Sequence, residues 1–382
     1  MSAATPIPET DQPDHLIEQV RAAAADHRRL RIRGGGSKDF LAGEADAVGV
    51  APLSTQDWRG ILSHEPSELV ITARAGTPLA ELEAALAAHG QCLPFEPPHF
   101  GAGATVGGMV AAGLAGPARA SVGGVRDYVL GARLVNGRGE LLTFGGQVMK
   151  NVAGYDVSRA LAGSWGLLGI VAEVSLKVLP TAPAEATLHF PLGQRDALEL
   201  LHQWGGQPLP LNASCWVRDT TQPGEPELLF VRLRGAIAAV EAACERMQRE
   251  AGGTRMDNAQ AGPDWVDAGE QRLPFFTQAP SAGHGLWRLS LPQTSAPLLP
   301  AWPQLIEWHG AQRWLWAPLS AADEIRAAVR SAGGHAQLFR APAAGAGGVR
   351  RFDVPEPAVA TIMRHLREAF DPHGVFVGPD LF

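Results

Sequence analysis

Cysteine is scarce: three in 382 residues, Cys92, Cys215 and Cys244, far apart and without a C-x-x-C pair. Such spacing cannot ligate an iron–sulfur cluster or a four-cysteine zinc ion; three small apolar side chains in a reducing compartment account for it. A basic excess is missing too. Thirty-two Lys and Arg face 39 Asp and Glu, a net charge of -7 with no Lys/Arg run, which removes the footprint of a nucleic-acid partner. No stretch approaches the roughly 18 uninterrupted apolar residues of a membrane span. The opening MSAATPIPETDQPDHLIEQV has neither a basic start nor an apolar core, so no signal peptide is expected and the chain reads as cytosolic. His284, His309, His335, His365 and His373 are dispersed, with no H-x-x-x-H or H-E-x-x-H, so no metal site is expected. The two familiar nucleotide patterns fail as well. Gly-Lys never occurs, which excludes a P-loop, and Gly101 and Gly103 meet Val106 where a dinucleotide fingerprint needs a third glycine.

What the chain does have is glycine and proline, 44 and 30 residues, with 17 glycines between positions 101 and 169. That density signals a backbone that must approach something closely. Eight of the ten tryptophans follow residue 200, and the length exceeds one ordinary core, so two or more domains are expected. Periodicity predicts a helix over 14–27 and a strand over 30–33 that stops at three glycines. Ser54 with Asp57 predicts a capped helix carrying Trp58, Ile61 and Leu62. A strand over 69–74 precedes a helix capped by Thr77, with Pro78 at its first position and Gly90 as terminator. Strands over 129–135 and 140–144 flank the turn Asn136-Gly137-Arg138-Gly139, and a long apolar strand covers 167–179. After a linker at 181–184, strands are expected near 186–190, 213–217, 228–234, 286–291, 314–317 and 335–340. Helices are expected at 195–204, 236–250, 321–332 and 358–370.

Three glycine clusters carry the functional signal. Arg33-Gly34-Gly35-Gly36-Ser37-Lys38 follows a strand, where residues without Cβ let successive N–H groups point into one concavity suited to phosphate oxygens; a tight surface turn is the plain alternative. Pro97-Pro98-His99-Phe100-Gly101-Ala102-Gly103-Ala104-Thr105-Val106-Gly107-Gly108 leads to a helix capped by Thr105 whose first turn is nearly bare; close packing through small residues is the alternative there. Gly163-Ser164-Trp165-Gly166-Leu167-Leu168-Gly169 turns into a buried strand.

In order, RGGGSK, PPHFGAGATVGGMVAAG, VRDYVLGARLVNGRGELLTFGG and MKNVAGYDVSRALAGSWGLLGIVAEVSLKVLP resemble the FAD-binding domain of the vanillyl-alcohol-oxidase family, the PCMH-type domain, over roughly residues 10–182. FEPPHFGAGATVGGMVAAGLAGPAR, LWRLSLP and GGHAQLFR are nearest to the branch that serves bacterial glycolate oxidases. The resemblance implies an α+β fold. A two-subdomain FAD-binding domain would occupy 1–182 (about 1–75 and 76–182), an α+β cap for substrate or interface 183–340, and a tail with a C-terminal helix 341–382 would return to the FAD domain. It implies non-covalent FAD, His99 belonging to the non-covalent pattern. Gly34, Gly35, Gly36, Ser37 and Lys38 would hold the pyrophosphate, and Lys38, one of three lysines against 29 arginines, leans toward phosphate. Thr105, Gly107, Gly108, Ala112 and Gly113, with Pro97 and Gly103, would line the diphosphate and isoalloxazine side. Ile170 would offer its backbone to adenine. The tail departs from the family phrase: Val377-Gly378-Pro379-Asp380 stands where Asn-Pro-Gly is usual, which loosens the expected docking of the tail.

Oxidising a 2-hydroxy acid needs a cation for the carboxylate and a base near the hydroxyl, with hydride passing to the flavin. Arg288 within Leu286-Trp287-Arg288-Leu289, and His335 at the head of a strand, are the candidates; a structural ion pair and an ordinary strand-end histidine are the alternatives. The resemblance implies a subunit of a glycolate oxidase complex, partnered by a second flavoprotein and an iron–sulfur subunit, cytosolic or held at a membrane surface through that complex. A stand-alone FAD oxidase or dehydrogenase of a hydroxy acid or sugar, and a flavin-stabilised assembly subunit with little activity alone, are the other readings.

Overall fold

The structure, a computed structural model, describes residues 12–41, 49–146, 157–220 and 223–381; the opening eleven residues and the MKNVAGYD stretch lie outside the described residues. The fold is α+β. The helix Asp14–Ala25 buries Leu16, Ile17, Val20 and Ala23 and leads into β1 (Arg29–Arg33), which pairs in parallel with β2 (Val50–Ser54). Next come β3 (Ile61–Glu65), β4 (Val70–Arg74), β5 (Gln91–Cys92), β6 (Val129–Val135), β7 (Leu141–Gly145), β8 (Ile170–Lys177) and β9 (Leu179–Pro180). Five of these form an antiparallel sheet in the order β3-β4-β8-β6-β7, and β5 pairs with β9. Central β8 is covered on both faces, and every residue from Ile170 to Leu176, Glu173 and Ser175 included, is buried. Ile170 and Ala172 meet the first helix and β2, while Val174 and Leu176 meet the helices Leu79–Ala87 and Val106–Ala112.

Two local expectations fail. The segment after Ser54 turns instead of starting a helix. Trp58 is buried with its indole N–H donating to the Ala172 carbonyl (3.1 Å), and Ile61 opens β3, paired with β4. Burial of one indole outweighs the weak N-cap preference of a short segment. Thr77 does not cap the next helix either: its hydroxyl bonds to the Gly60 N–H (2.9 Å) and carbonyl (3.1 Å), and Pro78 stands at the N-cap.

The remaining strands build one eight-stranded sheet: β10 (Ala184–Pro191), β11 (Leu211–Arg218), β12 (Glu227–Gly235), β13 (Thr254–Arg255), β14 (His284–Ser290), β15 (Gln304–Glu307), β16 (Gln312–Pro318) and β17 (His335–Arg340), ordered β13-β10-β12-β11-β15-β16-β14-β17. Side-chain alternation divides its faces. Leu188, Phe190, Leu229, Val231, Trp287, Leu289, Leu315 and Leu338 point to one side, under the helices Gln194–Gly205, Ile237–Ala251 and Ala322–Ser331. Arg232, Arg234, Arg288, Glu307, Gln312 and Trp314 fall on the opposite register positions, facing the glycine-rich half. A helix the sequence reading passed over, Asn258–Gly269, interrupted by two glycines and Pro263, packs on this face through Ala261, Trp265 and Ala268.

The tail docks firmly in spite of its altered wording. After the helix Pro357–Phe370, Leu30 donates to the Val375 carbonyl (2.7 Å) and accepts from the Val377 N–H (2.9 Å), extending β1. Asp371 accepts from the N–H groups of Val375 and Phe376 (2.9 and 2.8 Å), and Phe376 is fully buried against the first helix.

Among the polar contacts that tie the glycine-rich half to the large sheet are those of Glu96 and His309. Glu96, in the 94–104 loop, accepts two bonds from one Arg232 nitrogen (2.6 and 2.8 Å), one from Arg234 (2.7 Å) and one from the Ala118 N–H (3.2 Å). Burial alone would raise the Glu96 pKa, but the two guanidiniums more than reverse it and hold the carboxyl below its ordinary value. His309 pairs with Ser214 on β11 and with Ser121 (3.0 Å each), and burial lowers its pKa to about 4.

Replacing Glu96 with Gln leaves Arg232 uncompensated at 2% exposure; because Glu96 itself is 24% exposed, a loss of about 2–3 kcal/mol is expected by urea unfolding, at the low end for a broken buried pair. The lowered carboxyl pKa makes this contribution full above the unfolded carboxylate range and lost as pH falls through the folded value, so wild type and variant converge in acid. For His309 the folded pKa is likewise depressed. Its neutral form adds stability above about pH 6.5 that is lost as pH falls toward 4, and His309→Gln should flatten that slope of wild-type stability against pH.

Candidate flavin cleft and adjoining cavity

A cleft of about 110 Å³ runs along the 34–38 loop, the helix start at 105–108 and the tail. Gly34, Gly35, Gly36, Ser37, Lys38, Thr105, Gly107, Gly108 and Ala112 line it, joined by Ala111, Trp165, Gly166, Gly169, Val171 and, from the tail, Val377, Gly378 and Pro379. Four sequence candidates stand off its wall. Pro97 is buried behind the loop, and Ile170 faces the core while its neighbours Gly169 and Val171 reach the cleft. Gly113 ends the helix at φ +63° against Gly163, and Gly103 lies behind the 34–38 loop. The sequence places the tail on the FAD domain but gives no sign that Val377, Gly378 and Pro379 line the cleft, because Val-Gly-Pro carries no ligand-binding motif; pairing of the tail with β1 brings them here.

The loop at 34–38 fits a diphosphate. Among the described residues, none of its backbone N–H groups donates to a protein acceptor, so five donors in succession remain for a ligand. The helix start differs from expectation. The N–H groups of Val106, Gly107 and Gly108 are taken by the Thr77 carbonyl (2.9 Å), the Ala75 carbonyl (2.8 Å) and Thr105 Oγ1 (3.2 Å), so this segment supplies a smooth wall and not donors. Gly107 is required by packing: a Cβ there would sit 2.6 Å from that of Ala75. Gly35 is tighter still, since its added Cβ would fall 1.4 Å from the Gly103 carbonyl oxygen. FAD, whose diphosphate needs donors and whose ring needs bare backbone, suits these walls.

Lys38 turns away from the nest. Its Nζ donates to the His99 carbonyl and Ser37 Oγ (3.3 Å each) and lies 5.6 Å from the centre of the Phe100 ring; burial lowers its pKa to about 8, against the pull of Glu270. Glu270, just beyond the helix Asn258–Gly269, accepts from the N–H groups of His99 (2.7 Å) and Phe100 (2.8 Å), while the His99 ring donates to Glu83 (2.9 Å). That bond to Glu83 raises the His99 pKa. Phe100, at φ +52°, packs edge-on against Phe40 and Phe339. The backbone there is held in a costly conformation by partners on both halves.

Beyond Phe100 lies a second, open cavity, lined among others by Pro98, Phe100, Gln271, Arg288, Glu307, Gln312 and Trp314. Arg288 belongs to it; His335 does not. His335 shares the Arg288 face of the sheet two positions along but is exposed. Arg288 Nε donates to Gln312 Oε1 (2.6 Å), and its guanidinium and that of Arg119 approach the Trp308 ring (5.2 and 4.5 Å). Burial and the Arg119 charge lower the Arg288 pKa to about 10, so it remains a cation at neutral pH.

A family profile described as "FAD binding domain" matches residues 7–145. Glycolate oxidase subunit GlcE of Escherichia coli (strain K12) is 44% identical over 370 residues, 96% of this chain and 97% of that protein. Glycolate oxidase subunit GlcD of Bacillus subtilis (strain 168) is 28% identical over 172 residues, 45% of this chain and 36% of its own length. Among solved structures, an alkyldihydroxyacetonephosphate synthase covers 95% of this chain and is itself covered over 74%, with a TM-score of 0.66 at 15% identity, a likeness of fold alone.

Gly35→Ala should yield a folded protein that loses most of its flavin on gel filtration, because the Gly103 carbonyl must move and the loop with it. Gly205→Ala, whose Cβ meets nothing within 4 Å, is the control and should keep its flavin. Full flavin content in the first variant would show that the loop does not hold the cofactor.

Proposed function

Since this chain belongs to the FAD-binding-domain family of the glycolate oxidase subunit GlcE, we propose that it is the FAD-holding subunit of a multi-subunit enzyme oxidising glycolate to glyoxylate. The match from end to end to one relative carries this reading. The 34–38 N–H groups would hold the diphosphate, with Thr105, Gly107, Gly108 and Ala112 as the wall beside the ring. When bound, FAD supplies the two-electron acceptor for oxidation of a carbinol. The chain's own part is to seat the cofactor on bare backbone and to present the Arg288 cation to a carboxylate.

A second flavoprotein subunit is the first partner proposed, supported by the likeness to GlcD, itself a glycolate oxidase subunit. An iron–sulfur subunit is the second: electrons must leave the flavin, and Cys92, Cys215 and Cys244 are separate free thiols. No helix among the described residues is long and apolar enough to cross a membrane; association with one through the complex belongs to the same proposal.

Tagged protein purified from its native host should elute by gel filtration well above its own mass of about 40 kDa, with a second flavoprotein and a cysteine-rich protein in the same peak. Isolated chain should hold FAD and reduce dyes with glycolate poorly. A monomeric peak with full glycolate–dye reductase activity would make it a stand-alone dehydrogenase.

A further inference from the structure

Two buried polar atoms without partners line the cavity beyond Phe100. Glu307 is 3% exposed; its Oε2 accepts from Trp314 Nε1 (2.6 Å) and Gln312 Nε2 (3.0 Å), while Oε1 has no hydrogen bond. Gln271 is 7% exposed; its Oε1 accepts twice from Arg340 (2.9 and 3.0 Å), while Nε2 donates to nothing. Orphaned polar atoms are rare and costly in folded proteins, and here one acceptor and one donor belong to two residues that line the same cavity, a pairing that suits a ligand of mixed polarity. The third polar wall is Arg288, whose one hydrogen bond among the described residues is from Nε to Gln312. Gln312 therefore stands between cation and carboxyl and spaces them through its own amide. The cavity is shallow, about 20 Å³, little more than one water needs, and it is open on one side, so a ligand would place only its polar end against these residues and lie toward the opening.

Resting on the reading of the chain as a hydroxy-acid-oxidising flavoprotein subunit, we infer that this cavity is the substrate-head site: Arg288 and Gln271 Nε2 bind the carboxylate of a short 2-hydroxy acid, and Glu307 Oε1 accepts its hydroxyl proton. Atoms and electrons balance. The O–H bond breaks with its proton passing to Oε1, the C2–H bond breaks with its electron pair and hydrogen passing to FAD, and a C2=O bond forms. Glu307 replaces His335 as the base, because the exposed imidazole does not line the cavity. Burial raises the Glu307 pKa against the pull of its two donors and of Arg288, which suits a group that must accept a proton. The charged or titratable groups that influence it are Arg288 on β14, Cys215 on β11 and Glu96 in the 94–104 loop. The small head space favours glycolate or lactate over bulkier acids.

The test has two parts. Oxalate, a carboxylate pair with neither hydroxyl nor C–H, is titrated calorimetrically into the isolated full chain with FAD bound. Arg288→Met and Gln271→Leu should each weaken binding by about tenfold or more, as for a lost charge-assisted contact, while Glu307→Gln should leave it unchanged or tighter. Glycolate oxidation by the assembled complex is then followed against pH. Glu307→Gln should lower kcat by about 100-fold or more and abolish the rising limb, and Glu307→Asp should restore part of the rate and the limb. A wild-type rate and limb in Glu307→Gln, or unchanged oxalate affinity in Arg288→Met, would overturn the inference and leave an ordered water as the occupant. Either result spares the broader reading if the variants keep FAD and the complex still oxidises glycolate; an unvaried chain that neither holds FAD nor assembles would overturn that reading instead.

Discussion

The structure depends on how the 94–104 loop is held. Glu96 at its head is gripped by Arg232 and Arg234 on β12, and the N–H groups of His99 and Phe100 near its end are gripped by Glu270. Between those points the backbone passes through left-handed φ at Glu96, Phe100 and Gly101, a shape with no intrinsic preference for non-glycine residues. The two carboxylate contacts supply the missing preference, and each has one partner on either half of the molecule. Several separate features follow. Gly103 is pressed against Gly35, which fixes the nest; Phe100 is placed against Phe40 and Phe339; and Pro98 and Phe100 become one wall of the Arg288 cavity. Cleft and cavity are thus joined through this one loop, which meets Gly35 at the first and supplies Pro98 and Phe100 to the second.

What could be read from the sequence follows from where each element gets its stability. Strands β4, β6 and β8 and the helices Gln194–Gly205, Ile237–Ala251 and Ala322–Ser331 have strong apolar periodicity of their own, and expected and observed bounds differ by a few residues. The glycine clusters were legible because a backbone that must stay bare leaves a compositional mark. Glu270 and Glu307 left none. One follows a helix containing Gly262, Pro263 and Gly269; the other ends the four-residue β15, flanked by Pro303 and a left-handed Trp308-His309 pair. Both elements exist because the sheet and the loop hold them, so local propensity is silent about them. His335 resembles a catalytic base in sequence because a histidine heads the strand, yet its register two positions along from Gln337 leaves it at the exposed end.

The alternation of the eight-stranded sheet explains why Arg288 could be seen and its partners could not. In Leu286-Trp287-Arg288-Leu289 the cation stands against apolar neighbours within one strand. Glu307 and Gln312 come from β15 and β16, and only cross-strand pairing of Glu307 with Gln312, and of Trp314 with both Leu305 and Arg288, gathers them on one face. A polar cluster assembled across three strands is invisible to any one-dimensional period.

Burying a carboxylate such as Glu307 is unfavourable unless its oxygens are satisfied, and substitution by an apolar residue would ordinarily stabilise the sheet. Glu96 meets that requirement fully, with three cationic contacts and an amide, and so acts as a fastener. Glu307 meets it on one oxygen only. Its Oε2 is fixed by an indole and an amide that cannot rotate freely in the packed interior, which aims Oε1 in one direction and leaves it unanswered. Gln271 repeats the arrangement with opposite polarity: Arg340 occupies its oxygen and thereby orients its nitrogen. In both side chains one end is immobilised so that the other is presented. That division of labour separates a recognition wall from a structural ion pair, and it lies where the glycine-rich half brings Phe100 and Pro98 against the sheet.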